Sequence, residues 1–389
     1  MIDYQRLLND RIKNVKPSGI RRFFDIANEM DHVISLSIGE PDFSTPWHVR
    51  QAGIDSLEKG KTWYTPNKGF LELRRAITDY FFRKFNVQYN AETETVVTVG
   101  GSEAIDLTIR VLINPGEEVL IPQPSFVCYE PMTQMAGGKP ILLETREENQ
   151  FRLTGKALEE NITEKTKVLI LPYPNNPTGA VLRRKDLEEI ASVVRNHNII
   201  VLSDEIYGEL TYGDEKHISF SSIDGMREKT VIISGFSKSY AMTGWRLGYA
   251  LGPHQIMSQM TKLHQFAIMS APTTAQYAAI EALKNGDDDI ENMRVQYDMR
   301  RRLLVDGFRK MGLSCFEPEG AFYVFPCIQK TGLSSEEFCE KLLLAEHVAV
   351  IPGTAFGDCG EGFIRVSYSY SVKHLKEALK RIERFLNTL

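Results

Sequence analysis

Cysteine is scarce in this chain. There are five in 389 residues (Cys128, Cys315, Cys327, Cys339 and Cys359), an odd number, scattered and never spaced as CxxC. That excludes a disulfide framework and a cysteine-ligated zinc site, and sets the expectation of reduced thiols in a cytoplasmic protein. The eight histidines form no HExxH or comparable ligand pair, so no metal is expected. No apolar run reaches the length that spans a bilayer, and the opening MIDYQRLLND lacks the apolar stretch of a signal peptide. The formal net charge is only -5, which argues against a nucleic-acid-binding surface. There is no internal repeat and no low-complexity linker. What remains is a globular composition, with 42% hydrophobic and 25% charged residues. The length exceeds what one hydrophobic core usually serves, so two domains are expected. The chemistry sought must need neither a metal nor a catalytic cysteine.

From about residue 95 to 252, short β-rich runs alternate with amphipathic helical stretches. Candidate strands are Thr95–Val99, Glu118–Ile121, Pro140–Leu143, Lys167–Leu171, Ile199–Ser203, Thr230–Ser234 and Gly248–Leu251. Between them, Leu187, Ile190, Ala191 and Val194 recur at helical spacing within Arg184–Asn196. Such alternation predicts an α/β fold, a mostly parallel seven-stranded sheet sandwiched by helices. Ligands of such sheets sit beyond the carboxyl ends of the strands. From about residue 286 the pattern changes to a smaller α+β domain, with a long charged helix near Asp289–Met311, a helix near Ser335–Ala345, strands His347–Ile351 and Phe363–Tyr368, and a C-terminal helix. The expected division is an arm over 1–45 packing with the small domain, a large domain over 46–285, and the small domain over 286–389, joined near Asn285-Gly286.

Four segments at strand ends carry candidate chemistry. In Ser234-Gly-Phe-Ser-Lys-Ser-Tyr-Ala-Met-Thr-Gly-Trp-Arg-Leu-Gly248, Lys238 sits among small and hydroxyl residues with Arg246 downstream. A desolvated lysine near another cation has a lowered pKa and becomes an amine nucleophile, although a lone Ser-Lys pair would more often be surface. Ser203-Asp-Glu-Ile-Tyr207 ends an apolar strand with Asp204, a carboxylate that could equally cap the next turn. Tyr173-Pro-Asn-Asn-Pro-Thr-Gly179 describes a rigid loop, or a plain turn. Gly100-Gly-Ser-Glu-Ala104 opens a helix whose free N–H groups can hold an anion, though many such turns bind nothing.

Together these segments closely resemble the class I/II aminotransferases, in the fold-type I superfamily of pyridoxal phosphate (PLP) enzymes. The resemblance runs from Ser37-Ile-Gly-Glu-Pro-Asp-Phe43 to Phe363-Ile-Arg-Val-Ser-Tyr368, nearly the whole chain. It implies that Lys238 carries PLP as a Schiff base and then shuttles a proton, with Arg246 on the cofactor phosphate. Asp204 would pair with the protonated pyridine nitrogen that makes PLP an electron sink. Tyr207 and Asn176 would hydrogen-bond the phenolate oxygen, with Asn175 the amide easily confused with Asn176. The phosphate would rest on backbone N–H groups of Ser102 and Glu103 and on hydroxyls of Ser237 and Ser234. Some relatives carry a hydroxyl where this chain has Gly235. Phe126 would stack on the ring, where many relatives have a larger or hydroxylated aromatic; by itself it reads as a core phenylalanine. Tyr64 matches a tyrosine reaching the phosphate from a partner subunit, which implies a homodimer with shared sites. Arg365 would grip the substrate α-carboxylate bidentately, with Gly39 close by.

The activity so implied is ping-pong transamination from an amino acid to a 2-oxo acid, with 2-oxoglutarate expected as acceptor. The subgroup most resembled contains aromatic, bacterial aspartate-type and N-acetyl-diaminopimelate aminotransferases. Ile20, Phe23 and Phe24, in Ser18-Gly-Ile-Arg-Arg-Phe-Phe24, offer an apolar cover that favours an aromatic substrate, or pack domains together. Acylated diaminopimelate is the runner-up and aspartate a further alternative, since fold-level analogy alone does not fix a substrate. A carbon–sulfur β-lyase is the rival enzyme on this scaffold. A PLP-sensing regulator is the non-enzyme rival, but those carry an added DNA-binding domain, and only about 45 residues precede the large domain here.

Overall fold

The computed structural model of the protein describes residues 2–17, 19, 30–213 and 215–389. At its centre is a seven-stranded sheet. After the short β1 (Ile34–Ser35), its strands in chain order are β2 (Thr95–Thr98), β3 (Glu118–Gln123), β4 (Lys139–Glu144), β5 (Thr166–Leu171), β6 (Ile200–Asp204), β7 (Thr230–Gly235) and β8 (Gly248–Leu251). Their order across the sheet is β2-β8-β7-β6-β5-β3-β4. Every pairing is parallel except the two made by β8, which runs antiparallel to both β2 and β7. All seven expected strands form, with ends displaced by two residues or fewer.

The local causes are plain. Val168–Leu171 and Val201–Leu202 are continuous apolar runs and fully buried, as strands covered on both faces require. The helix Arg184–Arg195 buries Leu187, Ile190, Ala191 and Val194 along one stripe and leaves its charges outside. Each such large aliphatic contributes about 1.5–3 kcal/mol on burial.

The C-terminal part carries a three-stranded sheet of β9 (Tyr323–Val324), β11 (Ile351–Pro352) and β12 (Ile364–Ser367), in the order β11-β12-β9. The single strand expected over His347–Ile351 is divided into β10 (Val348–Ala349) and β11. β1 pairs in parallel with β10, whereas the helix Asp10–Lys13 lies against the helix Tyr129–Ala136, which follows β3. The N-terminal stretch therefore touches both parts of the molecule. Gly286 stands between the helices Thr273–Asn285 and Asp287–Lys310.

This topology gathers one edge. The carboxyl ends of β2, β3, β5, β6 and β7 open there, and antiparallel β8 brings its amino end, just after Arg246, to the same edge. β12 reaches it from the C-terminal part.

Candidate active site

A cavity of about 910 Å³ lies at that edge. Ser102, Phe126, Asn176, Asp204, Tyr207, Ser237, Lys238, Arg246, Gly39 and Arg365, ten positions expected from the sequence, all line it.

Lys238 follows β7 by three residues, and its ammonium donates to the Gly39 carbonyl. Burial pulls its pKa down to about 8; Glu40 acts the other way, and Arg365 and Arg246 lower it further. The amine is thus neutral in about a tenth of molecules at pH 7, far more than for an ordinary lysine, and the neutral form is the nucleophile. Asp204 ends β6. Burial raises its carboxyl to about 6, against hydrogen bonds from the Tyr129 hydroxyl (2.8 Å to Oδ2) and the Ile206 N–H (3.2 Å to Oδ1). Those two donors favour the ionised form, which can hold a cationic ring nitrogen.

Arg365 is 2% exposed on β12, between the rings of Tyr323 and Phe356 (4.5 and 4.8 Å). Its Nη1 donates to Asn176 Oδ1 at 2.9 Å and its Nη2 to the Ser37 carbonyl. Among the described residues its buried Nε has no hydrogen-bond partner. A buried, unsatisfied guanidinium nitrogen costs free energy unless an anion arrives to accept from it. Asn175 is otherwise employed: its Oδ1 accepts from the Thr178 N–H and hydroxyl at 3.1 and 2.9 Å, so it builds the loop while Asn176 faces the cavity.

Backbone crowding shapes the opposite end. A Cβ on Gly248 would lie 2.6 Å from the Gly100 carbonyl carbon and the Gly101 nitrogen. One on Gly100, whose φ is +78°, would lie 2.6 Å from Arg246 Nη2. Glycine at these positions lets β8, the turn that opens the helix Gly100–Leu112, and the Arg246 side chain meet at an N-terminus suited to anions.

Three further expected positions do not line the cavity. Glu103 keeps its place in the first helical turn, but its carboxylate accepts from the Val99 N–H and pairs with His264 Nδ1, leaving only the backbone for an anion. Ser234 does not line the cavity. Strand alternation turns it to a small space with Glu205 and Glu209, where it hydrogen-bonds Tyr249. Tyr64 is 81% exposed and stands outside the cavity of its own chain. Ile20, Phe23 and Phe24 lie outside the described residues.

Two site residues escaped the sequence reading. Tyr129 opens the helix Tyr129–Ala136, three residues after Phe126, and the two ring centroids are 6.1 Å apart. Tyr323 has no local signal: its hydroxyl meets that of Tyr207, 116 residues away, at 2.9 Å.

The cavity thus offers an anion cradle, an amine of lowered pKa, a carboxylate, an aromatic ring and a guanidinium. Those residues fit pyridoxal phosphate and an amino acid together.

Comparison with known proteins agrees. The sequence model for Aminotransferase class I and II matches residues 31–382. A Bacillus subtilis (strain 168) protein described as an aminotransferase, YugH, is 51% identical over 380 residues, 98% of each chain. An aspartate aminotransferase of Pyrococcus abyssi is 46% identical, covering 97% of this chain and 98% of its own. The crystal structure of an aromatic aminotransferase from Pyrococcus horikoshii superposes with a TM-score of 0.90 at 45% identity, covering 94% of this chain and 99% of that one. Geometry, family match and near-complete coverage converge: this chain belongs to the class I and II aminotransferases.

Proposed function

We propose that this aminotransferase uses pyridoxal phosphate held at Lys238, and passes the amino group of an amino acid, aromatic ones favoured, to a 2-oxo acid such as 2-oxoglutarate in a ping-pong cycle. The observation that carries the reading is one cavity holding the Lys238 amine, with its pKa lowered to about 8, the Asp204 carboxylate and the partly unsatisfied Arg365 guanidinium.

Bound there, pyridoxal phosphate supplies an electron sink for the carbanion left when the substrate Cα loses its proton. Arg365 receives the α-carboxylate, and Asn176 and the Ser37 carbonyl fix the guanidinium plane from behind. Lys238 would hold the cofactor through its amine and, once the substrate amine takes that place, would be free to move the substrate Cα proton. Asp204 keeps a proton on the ring nitrogen, with Tyr129 holding the carboxylate in place. Ser102, Ser237 and Arg246 hold the phosphate, and Tyr207 and Asn176 serve the phenolate oxygen. Ile38, Val127 and the Tyr323 ring also line the cavity and present apolar surface suited to an aromatic side chain. The similarity to an aspartate aminotransferase makes aspartate the second reading.

Two copies sharing their sites complete the proposal. Trp63, Tyr64 and Phe266 are 71%, 81% and 83% exposed, and the Thr273 hydroxyl on the Trp63 carbonyl and the Asn67 amide on the Met269 carbonyl join their segments into one apolar face.

The test is a half-reaction screen: single amino acids are mixed with the PLP-loaded protein and its absorbance is followed. Aromatic amino acids should convert it fastest; faster conversion by aspartate would select the second reading. K238A should lose both turnover and borohydride-trapped cofactor, and full activity in that variant would sink the assignment of Lys238. Release of pyruvate and ammonia from cystathionine would indicate a β-lyase instead.

A further inference from the structure

The helix His254–Ala267 carries a histidine with an unusual position. His264 is fully buried, and among the described residues its Nε2 has no hydrogen-bond partner. Its one side-chain partner among the described residues is Glu103, with Nδ1 2.6 Å from Oε1. A carboxylate only accepts, so Nδ1 carries the proton. Burying an imidazole costs free energy, and here a single polar contact offsets that cost.

That contact falls beside the anion cradle. Glu103 directly follows Ser102, whose N–H group belongs to the first turn of the helix Gly100–Leu112. The other Glu103 oxygen accepts from the Val99 N–H, the residue before the turn. Glu103 therefore spans the turn from Val99 to its own backbone, and His264 anchors it from a separate helix. The charge matters as well. A carboxylate in a first helical turn competes with an incoming dianion for the same N–H groups and dipole. Hydrogen bonding to His264 and Val99 directs that charge into protein, and the Glu103 side chain does not line the cavity.

We propose that His264 is a positioning residue for the cofactor phosphate: by binding Glu103 it fixes the turn Gly100–Ser102 and keeps the Glu103 charge from the anion. This rests on the reading that the cradle holds the phosphate of pyridoxal phosphate. His264 touches neither cofactor nor substrate.

The experiment compares dissociation constants of pyridoxal phosphate and pyridoxal, which lacks the phosphate, for the wild type and His264 variants. The wild type should prefer the phosphorylated form. In H264L that preference should fall by about tenfold or more, the scale of a lost hydrogen bond to a charged group, while pyridoxal affinity stays unchanged. H264N keeps a donor near the Nδ1 position and should retain the preference. H264Q, whose amide reaches the Nε2 position instead, should lose it, and is read in place of H264L if the latter does not fold. An unchanged preference in both H264L and H264Q, or equal weakening of both ligands, would overturn the inference alone. A wild type with no preference for the phosphorylated form would overturn the cofactor reading as well.

Discussion

Asp204 shows what a single neighbouring hydroxyl does. Burial works against its ionised form, and the Tyr129 hydrogen bond works for it. Removing that donor in Y129F should raise the Asp204 pKa above about 6, because only the ionised carboxylate gains from an O–H donor. A protonated carboxyl cannot hold a cationic ring nitrogen, so cofactor binding should weaken as pH falls through the Asp204 pKa. Pyridoxamine phosphate, which makes no bond to Lys238, is the suitable probe. Its affinity in Y129F should begin to fall at a pH about one unit higher than in the wild type, the shift expected from one lost hydrogen bond. Coincident profiles would show that Tyr129 does not tune Asp204. Asp204 itself was legible because it ends an apolar strand, while Tyr129 needed the helix after β3 to be placed against β6.

At the scale of elements, the anion cradle depends on how closely backbones approach. In G248A the new methyl would stand 2.6 Å from backbone atoms of Gly100 and Gly101, neither of which is a flexible side-chain end. The turn must move, so affinity for pyridoxal phosphate should fall by about ten- to a hundredfold, the range that overpacking costs of 1–3 kcal/mol imply. Equilibrium binding measures this, and unchanged affinity would show that the cradle tolerates the displacement. The seven strands were readable because each is a short apolar run bounded by turn signals. The division of His347–Ile351 into β10 and β11 was not, because the break follows from two different partners, β1 and β12. Ser234 was misplaced for a related reason. Strand alternation fixes that neighbours face opposite ways, but which face meets the cavity is decided by the sheet's surroundings.

For the whole molecule, the exposed face around Trp63, Tyr64 and Phe266 is the feature to test. Sedimentation of the wild type should give twice the mass of one chain. W63E places a charge on that face and should shift the mass toward a single chain, with weaker cofactor binding if Tyr64 serves the neighbouring site. A monomeric wild type with full activity would remove the shared-site proposal.

The sequence by itself determined the chemistry at each strand end: the lysine and arginine of Ser234–Gly248, the carboxylate after Ile200–Leu202, the glycine turn after Thr95–Val99. These are local facts, set by periodicity and by the few residue types that suit a given reaction. Only the tertiary structure decided which of them meet. Tyr323 and Arg365 come from the C-terminal part, Gly39 from before the first large-sheet strand, and His264 from a helix on the far side of Glu103. Contacts between residues so distant along the chain leave no local pattern, because they are fixed by the packing of whole elements. Lys238, the most legible residue of all, has its lowered pKa from that packing: burial, and the cations Arg365, on β12, and Arg246, just before β8.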